Sequence, residues 1–222
     1  MKIKYATISK TGRRSNNEDC FNVLEMPEHN RFMGIVCDGM GGHSFGEVAS
    51  EVVCDAISKY WQDNTDTPDS DQKVVMACKK ACNAINQKSY DLSHAEMGTT
   101  MVMASIEGDK ATIAHVGDSH CYLQRQSEGC FTKLKFMYVS TSGGKLCHAV
   151  SLVTTRSRCS QHQAIHHSKK ETGSYSVLMV CTKAWHPTFC KQGCLTTSHW
   201  KKFSMSLTAS VESNVMTTIR QY

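Results

Sequence analysis

The apolar positions of the first half of the chain fall into short, well-bounded patterns. "YATISKTG" reads as a strand running into a turn, and "RFMGIVC" as a short strand buried on nearly every residue. From Gly46 to Tyr60, Val48, Val52, Ala56 and Tyr60 recur every four residues, which predicts an amphipathic helix. The polar stretch "QDNTDTPDSD" separates it from a second helix, capped by Ser70, with Val74, Cys78, Ala81, Cys82 and Ile85 on one face. "GTTMVMASI" and "ATIAHVGDS" are β-rich runs joined by "EGDK", a hairpin pattern. The order strand, helix, helix, strand, strand predicts mixed α and β structure with antiparallel pairing.

Beyond Tyr122 the periodicity weakens. "FTKLKFMYV" alternates enough for one strand, and "VSLVTT" and "SYSVLMVC" have strand-like composition, but nothing sets their topology. No internal repeat is visible. Charge divides the chain in the same way. Residues 1–118 carry 12 Lys and Arg against 17 acids, whereas residues 119–222 carry 13 against three, Glu128, Glu171 and Glu212. The second segment has no aspartate. A basic block suits an anionic partner such as nucleic acid, but no nucleic-acid motif accompanies it, so none is expected.

The 222 residues suffice to bury a substantial core. No apolar run reaches the 18 residues of a membrane span, and the start lacks a signal-peptide core. The expectation is a cytoplasmic monomer that does not associate with membranes, its 12 cysteines reduced.

Three stretches carry candidate chemistry. "CDGMGG" ends the apolar strand on Asp38 and surrounds it with glycines, exposing backbone carbonyls beside a fixed carboxylate. Carboxylate and carbonyl oxygen are hard-cation ligands, suited to magnesium or manganese. "GRRSNNED" places Arg14 four residues before Glu18 and Asp19; a guanidinium can hold phosphate, and an acid pair can hold metal-bound water. "AHVGDSH" ends another strand on Gly117 and Asp118. His43, near the first motif, reads as a loop histidine.

Together with "MGTT" at 97–100, these motifs resemble the metal-dependent PPM-type (type-2C) serine/threonine protein phosphatases over residues 1–125. The resemblance implies an α+β fold, a four-layer α-β-β-α sandwich of two antiparallel sheets flanked by helices, incomplete at its C-terminal side. It implies a two-metal site for Mn2+ or Mg2+, with Asp38 bridging the metals and Gly39 giving its carbonyl to one. Glu18 and Asp19 would hold metal-bound waters, Arg14 the substrate phosphate, and Asp118 an additional, weaker metal. The implied reaction is hydrolysis of phosphoserine or phosphothreonine by a metal-activated water. The expected partner is a phosphoprotein, linked to a serine/threonine kinase or its targets.

Met40 stands where the animal enzymes have histidine, and His120 where arginine is usual. A larger departure comes late. The family pattern needs two further aspartates, and residues 119–222 contain none. Activity is therefore expected to be impaired. Residues 126–222 are expected to form a divergent tail, either a shifted-frame product, disordered in large part, or a real tail on a non-catalytic pseudo-phosphatase that acts as a binding protein. A zinc module through Cys159, His162, His166, His167, His186, Cys190 and Cys194 lacks paired CxxC knuckles, and scattered thiols and imidazoles are the simpler reading.

Overall fold

The structure, a computed structural model, describes residues 3–11, 14–40, 45–108, 110–117, 119–125, 132–133, 175–180 and 216–221. Among the described residues, nine strands form two antiparallel sheets. One has four strands in sequence order: β2 (Asp19–Met26), β3 (Arg31–Asp38), β4 (Met101–Glu107) and β5 (Lys110–Val116). The other has five, ordered β1 (Ile3–Ile8), β9 (Met216–Gln221), β8 (Tyr175–Val180), β6 (His120–Arg125) and β7 (Thr132–Lys133). Helices α1 (Gly46–Asp63) and α2 (Asp71–Asp91) pack together on the outer face of the four-stranded sheet. The α+β sandwich of two antiparallel sheets is thus present. The expected fourth layer falls outside the described residues.

Strand β3 explains the architecture. Its residues are buried from Arg31 to Cys37, which is why it reads as a continuous apolar run. Alternation then splits the run between two cores. Met33, Ile35 and Cys37 join Ala49, Val53, Ile57, Trp61, Val74 and Ile85 beneath the helices. Phe32 and Val36 join Val102, Ile106, Ile113 and Cys121 between the sheets, with Ile3, Phe21 and Val23 packed at the margin. The 3-10 turn Pro27–His29 ends in left-handed Asn30 and closes the hairpin of β2 and β3.

Several expected elements are found. The five residues assigned to the inner face of α2 are all buried, and the Ser70 hydroxyl accepts the Lys73 amide as a helix cap. The β4–β5 hairpin pairs Glu107 with Lys110. Helix α1 requires a correction. Its inward stripe is Ala49, Val53, Ile57 and Trp61, one residue on from the predicted stripe, whose members are only partly buried, with Val52, Ala56 and Tyr60 packed at the margin of the core. Trp61 decides the rotation: its large ring is fully buried and its indole N–H donates to Ser105 Oγ at 3.0 Å.

The polar stretch between the helices is also more than a solvated linker. Asp69 is buried, as are Arg31 and Lys73. Asp69 Oδ1 lies 3.3 Å from Arg31 Nε and 3.2 Å from Lys73 Nζ, and Arg31 also pairs with Glu107. The Arg31 guanidinium donates to the Thr65 and Thr67 carbonyls at 2.8 and 3.1 Å, fixing the linker against the sheet.

Of the late strand-like runs, "SYSVLMVC" contains β8. The β7 dipeptide falls in "FTKLKFMYV", and "VSLVTT" lies outside the described residues. Strands β2, β6 and β9 were not anticipated by the pattern. Strand β9 lies between β1 and β8, with Ile3 opposite Gln221 and Val177 opposite Ile219.

Candidate functional site

The site is built where β3 ends. Asp38 is its last residue, and the register of the β2–β3 hairpin puts Asp19 directly opposite. Alternation places both acids on the face that carries Phe21, Val23 and Val36, toward the five-stranded sheet. They therefore lie at one mouth of the inter-sheet core. Two like charges face to face across a hairpin oppose pairing, so the strands must be held there by other contacts.

Among those contacts are main-chain bonds and one hydroxyl. Gly39 N–H donates to the Glu18 carbonyl at 2.9 Å, and Met40 N–H to the Gly98 carbonyl at 3.0 Å. Thr100 N–H donates to the Asp38 carbonyl at 2.9 Å, and the Asp38 amide donates to Thr100 Oγ1 at 3.1 Å. Thr100 Oγ1 also lies 2.6 Å from Ser119 Oγ, both buried. Gly117, at φ +95°, turns the chain tightly: a Cβ there would stand 2.8 Å from Thr100 Cγ2. One threonine thus touches the Asp38 turn, Gly117 and Ser119.

Arg14 and Glu18 meet at the same corner, with Arg14 Nη1 3.1 Å from Glu18 Oε2. The Arg14 side chain is 44% exposed and that of Glu18 15%, so the pair faces solvent on the arginine side, where an anion can approach. Asn17 Oδ1 accepts the Asp19 amide at 3.3 Å while its side-chain amide donates to Ser9 Oγ at 2.9 Å, which fixes the entry to β2. Of the predicted residues, the structure brings together Asp38, Gly39, Asp19, Glu18 and Arg14. Asp118 lies outside the described residues, as does His43, read above as a loop histidine. Sequence reasoning missed Asn17, Thr100 and Ser119; the Asn-Asn before the acid pair was a usable turn signal, and the "MGTT" motif already contained Thr100.

The donors gathered here are all oxygen: three carboxylates and the Gly39 carbonyl. That set fits a hard divalent cation in kind. Among the described residues, no three acid, imidazole or thiol side chains form a metal cage on their own. Thiols lie close by on the opposite face, where Cys20 faces Cys37 across the hairpin beside the acids. A hydrogen bond to Cys54, burial and nearby acids push the Cys20 thiol up, which favours its protonated form.

A family model, protein phosphatase 2C, matches residues 9–182. The chain belongs to the protein phosphatase 2C family. Serine/threonine phosphatase stp of Listeria monocytogenes is 36% identical over 116 residues, covering 50% of this chain and 45% of that protein. This protein phosphatase 2C chain therefore spans about half the length of such curated relatives. The fold extends further. The serine/threonine phosphatase PstP/Ppp of Mycobacterium tuberculosis superposes with a TM-score of 0.63 at 21% identity, covering 99% of this chain and 98% of that one. A catalytic domain of PstP in complex with two manganese ions gives 0.64 at 22%, covering 99% and 97%. Among the described residues, no helix is long and apolar enough to cross a membrane.

Proposed function

We propose that this chain carries the early half of a metal-dependent phosphoserine/phosphothreonine phosphatase site, with turnover impaired by the acids its late half lacks. The observation that carries the reading is the placement of Asp19 opposite Asp38, with the Glu18 carbonyl bonded to the Gly39 amide and the Glu18 side chain paired with Arg14. Asp38 would bridge two divalent cations and Gly39 would offer its carbonyl, while Glu18 and Asp19 would hold water in the outer shell. Manganese or magnesium, when bound, supplies a water nucleophile at neutral pH and neutralises charge on the phosphoryl oxygens. Arg14, held but largely exposed, would orient the phosphate of a phosphoprotein through paired N–H donors. Asp118, between the Gly117 turn and Ser119, is the candidate for an additional cation. The relative solved with two manganese ions supports the choice of metal.

A second reading is a non-catalytic binding protein on the same fold. The absence of aspartate from 119–222 favours it, as does the pairing of β8 and β9 with β6 and β1, which argues for a tail that folds. Hydrolysis of p-nitrophenyl phosphate and of a phosphothreonine peptide with millimolar manganese separates the readings. Weak turnover lost in Arg14→Ala supports the impaired phosphatase; manganese binding without turnover supports the binding protein. Robust turnover would contradict the importance given to the missing acids. The coding DNA across residues 119–222 decides the origin of the tail: Asp-Gly and Asp-Asn motifs in another frame would mark a shifted-frame product.

A further inference from the structure

We propose that Gly46, the first residue of α1, is a positioning residue for Glu18, an inference that rests on the role proposed for Glu18. Gly46 is buried, and a Cβ built on it would stand 3.1 Å from Glu18 Oε1, 3.2 Å from Glu18 Cδ and 3.2 Å from the Met40 carbonyl. The Gly46 carbonyl in turn occupies the space a side chain at position 39 would need, 2.2 Å from a Cβ placed on Gly39. Neither glycine has a left-handed φ. Conformational freedom therefore does not explain them; close approach does.

Three chain segments converge at this point: the entry to β2, the turn after β3 and the start of α1. Phe45, which precedes the helix, gives it no side-chain cap, and the Glu18 carboxylate lies close to Gly46 at this first turn, whose amides form the positive end of the helix. The carboxylate is held between that turn and Arg14. A methyl at position 46 would push against the flexible end of Glu18 and a backbone carbonyl. The protein should tolerate it, but the carboxylate must yield by a few tenths of an ångström. Second-layer changes of this kind typically cost about 10-fold or more in metal affinity.

The test is a four-protein cycle of wild type, Gly46→Ala, Glu18→Ala and the double variant, each measured for thermal melting and for affinity toward manganese alone. Gly46→Ala is expected to weaken manganese about tenfold in the wild-type background and to add nothing in the Glu18→Ala background. Its melting temperature should fall or stay level with Glu18 present and rise with Glu18 absent, because alanine otherwise favours a helix over glycine. Equal effects of Gly46→Ala in both backgrounds would overturn the inference. If the wild type binds no manganese, the proposed function fails instead, and the melting cycle alone decides: unequal shifts uphold the contact and equal shifts overturn it.

Discussion

The two ends of β3 treat charge in opposite ways. At its start, Arg31 faces the helices and is buried among partners: Asp69, Glu107 and two linker carbonyls, with Lys73 sharing Asp69. Lys73 Nζ also sits 4.6 Å from the Trp61 ring centroid and donates to the Thr67 carbonyl at 2.9 Å. At its far end, seven residues on and so on the opposite face, Asp38 meets another acid. The first end places opposite charges together where water is excluded, and fastens the helix linker to the sheet. The second places like charges together at a mouth, held by backbone bonds and a threonine hydroxyl. Charge at the first end serves the fold; charge at the second is what the proposed cation site would use.

The largest effect should come from breaking the closed end. Asp69→Ala leaves Arg31 and Lys73 buried without their shared acid, a loss of about 3–5 kcal/mol in unfolding free energy by urea titration. A loss below about 1 kcal/mol would mean that the network is not a fastening. Next comes the link at the open end. Thr100→Val keeps the shape but removes the acceptor for the Asp38 amide and the partner of the Ser119 hydroxyl, at a cost of about 1–3 kcal/mol. An unchanged unfolding midpoint would show that the two turns are held without it.

A smaller, pH-dependent effect belongs to Glu107. Burial alone would raise its pKa, but the Asp69 amide and the Arg31 guanidinium outweigh that and lower it below the ordinary value of 4.5. A depressed carboxylate stabilises the folded state above its unfolded pKa and loses that contribution as pH falls through the folded value. Denaturant titrations from pH 6 downward should therefore show a stability drop below about pH 4.5 that is reduced in Glu107→Gln. Parallel curves for the two proteins would contradict the assignment.

Much of the fold was legible because its signals are local. The α2 face, the Ser70 cap, the β4–β5 hairpin and β3 each follow from the spacing of a few neighbouring residues. The α1 stripe was misjudged by one residue because Val48, Val52, Ala56 and Tyr60 are as apolar as the true stripe. What rotates the helix is the non-local bond from Trp61 to Ser105. The linker is found where expected, but its buried Asp69 was not legible for a related reason: a buried aspartate looks like a solvated one until its cationic partners, 38 residues upstream and four downstream, are placed beside it. At the site, the resemblance named Asp38, Asp19, Glu18 and Arg14, but the opposition of Asp19 and Asp38 depends on the hairpin register. The β2 pattern alternates too weakly to predict it. Gly46 and Thr100 gain meaning only from what packs against them.

The central claim is that the open end of β3 is a cation site centred on Asp38. Calorimetric titration of the chain with manganese, alongside Asp38→Ala and with unfolding followed in parallel, tests it most directly. Binding in the wild type that vanishes in Asp38→Ala, with unfolding free energy changed by no more than about 1 kcal/mol, is the predicted result. Manganese binding of equal strength in both proteins would contradict it.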